Sequence, residues 1–185
     1  MNIFVLHEDP EQAAWWHCDK HVLKMTIEYG QLLSGAQRAM GNDDRRLFLI
    51  THSKHPCSLW TRASQANYDW LLELFFYTAM QYQLRYEHVH SVYARLKEVL
   101  KTPIALPDIG MTPFVQAMPA QYRQEDPVAA YRAYYRGEKR HFARWTSPAT
   151  IPVWFIEGDI TSKEVKRRHT GTVKIVQTNL KEVLK

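Results

Sequence analysis

Apolar residues recur at helical spacing along most of this chain. Between Glu11 and Met40, Val22, Met25, Tyr29, Leu32 and Ala36 fall on one face at about 100° per residue. Asp9 offers a capping oxygen and Pro10 fits the first helical position. The pattern therefore predicts one helix from there to about Met40, stopped by Gly41-Asn42-Asp43-Asp44. Asn2 to Leu6 reads as a short extended segment entering the core. A polar loop, Thr51-His52-Ser53-Lys54-His55-Pro56, precedes a second helical region that opens with Leu59 and Trp60. From Leu71 to Tyr77 that region is apolar nearly all round, which marks a central buried helix. Tyr86 to Leu100 continues it or forms a third helix, with Val89, Val92, Leu96 and Leu100 as its apolar set.

No period survives between Lys101 and Pro127. Pro103, Pro107, Pro113, Pro119 and Pro127 punctuate the stretch, while Ile104, Leu106, Ile109, Phe114, Val115 and Met118 give it something to bury. It is expected to be an irregular wall packed on the body. Asp126-Pro127 repeats the cap-then-proline signal and predicts a helix to about Trp145, with Tyr131, Tyr135, Phe142 and Trp145 facing inward. Ile151 to Phe155 would close the core. The expected fold is all-α: one compact helical domain over residues 1–155, a proline-rich wall, and a basic C-terminal extension at 156–185.

Composition narrows the partners. The chain has 185 residues, a net charge of +5 and a pI of about 9.2, which favours a polyanion. Two cysteines, Cys18 and Cys57, make no disulfide framework and fit a reducing compartment. The apolar start, Met1 to Leu6, is short for a signal peptide, and no run approaches the roughly 18 apolar residues of a membrane span. A cytoplasmic protein with no membrane partner is expected. Seven glycines form no nucleotide-binding motif, and no cofactor is implied.

Three constellations could carry chemistry. The first is a polar stripe beside the apolar face of the first helix: His17, His21, Lys24, Glu28 and Gln31. Two histidines four apart share a helix face, as in helical zinc sites, and His52 or His55 could add a ligand by folding. The second is the Lys24–Glu28 pair. A lysine in a partly dry pocket can attack as an amine, and a neighbouring carboxylate can move protons. The alternative is a surface ion pair, with Lys N-terminal to Glu in the less favourable order. The third runs from Tyr131 to Trp145, where Tyr131, Arg132, Tyr135, Arg136 and Lys139 combine charges for phosphates with rings for bases. An amphipathic helix with a solvated basic face would look the same. His52, His55, Arg62 and Asn67 could add polar contacts to the same cleft.

These motifs resemble a family of small, mostly uncharacterised phage and bacterial proteins. The matching residues are Met1-Asn2-Ile3-Phe4-Val5-Leu6, Asp9-Pro10, the run His17-Cys18-Asp19-Lys20-His21-Val22 with Lys24-Met25, and Glu28. Thr51-His52, His55-Pro56, Asn67-Tyr68, Met118-Pro119 and the Tyr131 to Lys139 segment extend the likeness over about residues 1–155. More distantly, the layout is similar to the phage pyrimidine-dimer DNA glycosylases. Those are small, basic and helical, with a catalytic Glu on an early helix and an aromatic basic segment near the C-terminus. The resemblance implies Glu28 and Tyr131–Gly137 as counterparts. Those enzymes attack with an N-terminal α-amine exposed by loss of Met1. Residue 2 here is Asn, which keeps Met1 in place and leaves Lys24, or a water activated by Glu28, as the attacking group.

The resulting expectation is a DNA glycosylase-like enzyme. Glu28 would be the acid/base, Lys24 the amine, and His17 and His21 would orient the leaving base. Two alternatives stay open: a metal-dependent nuclease or hydrolase using the histidines, and a non-catalytic nucleic-acid-binding protein. The sequence leaves the oligomeric state undefined.

Overall fold

A computed structural model describes residues 1–157, and these are all-α, with no strand among them. The helices are α1 (Pro10–Trp15), α2 (Asp19–Ala39), α3 (Pro56–Thr61), α4 (Gln65–Tyr86), α5 (Ser91–Leu96), α6 (Pro127–Tyr134) and α7 (Val153–Ile156). No helix among the described residues is long and apolar enough to cross a membrane. From residue 158 on, the basic extension lies outside the described residues.

The long helix expected from Pro10 to Met40 is two helices. Asp9 caps α1 as anticipated, accepting N–H groups from Glu11 and Gln12. The chain then leaves helical geometry, and Cys18 is extended at φ −70°, ψ 163°. Side chains from elsewhere take the backbone groups that would have carried the helix onward. Arg85 of α4 donates to the carbonyls of Trp15 and His17 at 3.1 and 2.8 Å, and Cys18 N–H donates to the Tyr135 hydroxyl at 3.1 Å. Every buried backbone group needs a partner, and here side chains distant in sequence supply it. Asp19 then starts α2, pairs with Arg85 at 3.0 Å and accepts the Thr146 N–H and hydroxyl.

The apolar face read from the sequence is the core face of α2: Val22, Met25, Tyr29, Leu32 and Ala36 are all buried. It packs on α4, whose Tyr68, Leu71, Leu74 and Phe75 are buried in turn. Gly30 lets α5 approach α2 closely. A Cβ there would lie 2.9 Å from Leu96 Cδ1 and 3.1 Å from Val92 Cγ1 of α5.

The second helical region also breaks, at Arg62–Ser64, where Ser64 caps α4 through the Asn67 N–H. α4 runs to Tyr86, and Glu87 ends it in the left-handed region at φ 59°. Of the apolar set expected after it, Leu96 and Leu100 are buried but Val89 is exposed, because it lies in the loop before α5.

The stretch from Lys101 to Pro127 is irregular, apart from short 3-10 turns at Val99–Lys101 and Ala120–Tyr122. Met118 is buried, and Ile104, Leu106, Phe114 and Val115 pack partly against the core, while Ile109 is 68% exposed and packs on nothing of the kind. Trp60 Nε1 donates to Pro113 O at 3.0 Å, which pins the wall to α3.

The helix expected over 127–145 stops early. α6 ends at Tyr134, and a single π turn follows at Tyr135–Lys139. That wider turn holds Tyr135 fully buried while Tyr134 and Lys139 face a cleft. Gly137 makes room for Tyr122 of the wall: a Cβ there would fall 2.7 Å from the Tyr122 ring. Trp154 and Phe155 close the core as expected, with Ile151 and Val153 left exposed.

Candidate active site

A pocket of about 270 Å³ opens between the N-terminal segment, α2 and the π turn. It lies near the lower end of the range, roughly 300 Å³ upward, in which small-molecule sites are usually found. Glu28 lines it. Glu28 Oε2 accepts the Asn2 backbone N–H at 2.9 Å and lies 3.8 Å from the Met1 α-amine. Its Oε1 lies 3.3 Å from Lys24 Nζ. One carboxylate thus faces two amines. The Lys24 side chain is 70% exposed, not in the partly dry setting expected of an amine nucleophile, whereas Glu28 is only 14% exposed. From the π turn, Lys139 Nζ reaches the Tyr134 hydroxyl at 3.2 Å and sits 4.4 Å from that ring's centroid.

Asn2 holds the floor. Its Nδ2 donates to Ala117 O at 2.9 Å, and its Oδ1 lies 3.0 Å from the Tyr131 hydroxyl. The first residues are therefore locked to the proline wall and α6. Phe4 packs behind them on the His21, Tyr134 and Tyr135 rings.

The two histidines of the stripe part company. His17 precedes α2 and is completely buried. Its Nδ1 meets Ala13 O at 2.6 Å and its Nε2 the Tyr29 hydroxyl at 2.7 Å. Burial pulls its pKa down to about 4, against the opposing hydrogen bond to Ala13. His17 is thus a neutral structural link and does not reach the pocket. His21 does reach it. Its pKa is lowered by burial first, then by His17 and the charges of Lys139, Lys24 and Lys20. Since both His17 nitrogens are engaged, the pair is no chelate. No group of three His, Cys, Asp or Glu side chains gathers as a ligand set among the described residues.

The other expected contact residues scatter. Tyr131 and Tyr135 are fully buried, so neither ring offers a stacking face. Asn67 spends its amide on Trp60 O and on the Thr112 N–H and hydroxyl, which fastens the wall. Arg132 donates to Leu6 O at 2.9 Å and lies over the Trp16 ring. Arg136 donates to Trp154 O, and Arg62 to Ser53 O. His52 is exposed, in the left-handed region at φ 51°. His55 caps α3 through the Cys57 N–H; burial lowers its pKa first, followed by the Met1 amine, while Glu28 pulls the other way. It does not line the pocket.

Sequence reasoning missed Asn2 and Tyr134 as pocket residues. A polar Asn inside the apolar run Met1 to Leu6 is the available signal for the first. For Tyr134, the last residue of α6, the signal is its place in the aromatic and basic run from Tyr131 to Lys139.

Comparisons with protein-family models, with curated proteins and with solved structures return no match for this chain.

Proposed function

We propose that the pocket receives a base turned out of DNA, and that the protein is an N-glycosylase acting on a damaged or modified base. The observation that carries this reading is Glu28, a sheltered carboxylate between two amines at a base-sized pocket. An enzyme that works on a base must take it out of the stack into such a cavity. The distant likeness to the pyrimidine-dimer glycosylases points the same way. Work on cellular or phage DNA would place the protein in the cytoplasm, which suits its two free thiols.

The chemistry follows from the two amines. The nitrogen lone pair of Lys24 or of the Met1 α-amine forms a bond to C1′ as the bond from C1′ to the base breaks. The base leaves with the electron pair of the broken C1′–base bond and takes up a proton from solvent, and the amine gives its own proton to Glu28. Opening of the sugar, with O4′ taking a proton, yields an imine that water hydrolyses to the free amine and an abasic site. In the simpler version, Glu28 takes the proton from a water that attacks C1′ in place of the amine. Lys139 and Lys24 would meet the flanking phosphates.

Incubation with a panel of DNAs carrying damaged or hypermodified bases, scored for abasic sites, tests the reading. Borohydride should trap the imine as a covalent adduct. Trapping that disappears in Lys24→Ala assigns the lysine, and trapping that persists assigns the α-amine. Abasic sites without trapping assign the activated water. No abasic site on any member of the panel would remove the glycosylase reading.

A further inference from the structure

The two ring nitrogens of His21 have different surroundings. Nδ1 lies 2.7 Å from the Tyr135 hydroxyl, in the fully buried core. That hydroxyl already accepts the Cys18 N–H at 3.1 Å, and Cys18 Sγ lies 3.5 Å away. It has one proton to give. An unprotonated imidazole nitrogen at 2.7 Å is a far better acceptor than a thiol at 3.5 Å. Nδ1 is therefore the acceptor, and the proton of the neutral ring stands on Nε2.

Nε2 makes no hydrogen bond among the described residues. The sealed side-chain atoms without partners there are Ser34 Oγ, Thr78 Oγ1, Arg85 Nε and Trp154 Nε1, and His21 is not one of them. His21 is only 5% exposed and it lines the pocket, so Nε2 has its opening there. Phe4, at 4.4 Å between ring centroids, packs on one side of the imidazole and limits its rotation.

We propose that Tyr135 is a positioning residue that fixes His21 as a neutral Nε2–H donor into the pocket. The base bound there is then read through a carbonyl oxygen or an unprotonated ring nitrogen, and not through an amino group. This rests on the reading of the pocket as a base site. Burial and the neighbouring lysine charges hold the ring neutral, which keeps Nδ1 free to accept from Tyr135.

The test uses the full chain labelled with ¹⁵N-histidine and long-range ¹H–¹⁵N correlation, with the His21 signals assigned through His21→Gln. The expected result is a proton on Nε2 and none on Nδ1 at neutral pH. Tyr135→Phe, which keeps the ring but loses the hydroxyl, should give a mixture of tautomers. A proton on Nδ1 in the wild type, or an unchanged tautomer in Tyr135→Phe, overturns the proposal. Where Tyr135→Phe fails to fold, the wild-type tautomer still decides. Uracil, which offers two carbonyl oxygens, should shift the Nε2–H resonance; if that resonance stays still up to the solubility limit, the donor role fails. None of these readouts needs DNA cleavage. The tautomer can hold while the DNA panel yields no abasic sites, and the glycosylase reading alone would then fall.

Discussion

Two sets of cations flank the N-terminal segment, and they are used in opposite ways. Arg132, Arg136 and Arg140 donate to the carbonyls of Leu6, Trp154 and Phe155. Arg132 lies over the Trp16 and Trp154 rings, and Arg140 over Phe155. The Met1 amine and Lys24 instead face one carboxylate at an open pocket, which Lys139 also lines. A planar guanidinium suits carbonyls and ring faces, whereas an ammonium is a compact charge on a flexible stem. The difference teaches that a dense basic run is not in itself an interface. Here Arg132, Arg136 and Arg140 fasten α6 and the segments after it to the body, and Lys24 and Lys139 are left at the pocket.

The sharpest way to break this comparison is at Glu28. If the pocket is catalytic, Glu28→Gln should slow abasic-site formation by roughly 10²–10⁴-fold, the usual range for removal of an acid–base group. Its stability should stay within about 1 kcal/mol of the wild type, as for other substitutions outside the core. Full activity in a folded Glu28→Gln protein would leave the pocket without its chemistry.

Acid should act next, on the core behind both sets, where His17 is held neutral by burial, with a folded pKa of about 4 against an ordinary 6.5. Between those values the unfolded chain binds the extra proton, so stability should fall as pH drops from about 6.5 to about 4, then level off. A shift of this size corresponds to a loss on the order of 3 kcal/mol for that one buried group. Denaturant titrations across this window should show the slope, and it should shrink in His17→Gln. A flat profile would mean that His17 is not sealed.

Arg132→Gln then probes the arginines. Leu6 is fully buried, so its carbonyl would lose a charged donor, and Trp16 would lose the guanidinium over its face. The expected cost is about 1–3 kcal/mol of stability, with the salt dependence of DNA binding unchanged. The smallest effect belongs to Lys139→Gln, which should leave stability within about 0.5 kcal/mol. It should flatten the log–log salt slope by roughly 0.9 on duplex, or roughly 0.7 on single strands, because one phosphate is no longer neutralised. A flattened slope in Arg132→Gln, with none in Lys139→Gln, would exchange the roles of the two sets.

Much of the fold is legible in periodicity. The buried face of α2, the apolar α4 and both cap-then-proline starts, at Asp9-Pro10 and Asp126-Pro127, stand where the sequence places them. The breaks at Trp16–Cys18 and after Tyr134 are hidden, because partners far along the chain impose them. Arg85 is 70 residues from the Trp15 carbonyl it takes, and Tyr135 is 117 from the Cys18 N–H it accepts. The stripe His17, His21, Lys24, Glu28 predicts a shared face, and the first break removes His17 from it. The run over 131–145 reads in the sequence both as an inward aromatic face and as a basic surface with rings for bases. The structure keeps the inward face for Tyr131 and Tyr135, and the carbonyls of Leu6 and Trp154 draw Arg132 and Arg136 onto the body. Helical spacing reports one face of one element, and carries no record of a carbonyl that another element leaves waiting.

The Asn2 contacts also set a clock. Asn2 bonds across 115 residues to Ala117, and its oxygen meets Tyr131 across 129. At a synthesis rate of about 5–20 residues per second, the wait between making Asn2 and making those partners is on the order of ten seconds. Throughout it, Phe4 and Leu6 have no finished surface to bury against, and Glu28 has no floor beneath it. The pocket is therefore among the last parts of the molecule to exist on a growing chain. A nascent chain carries all of α2 and α4 well before it carries the wall and the π turn that complete the pocket.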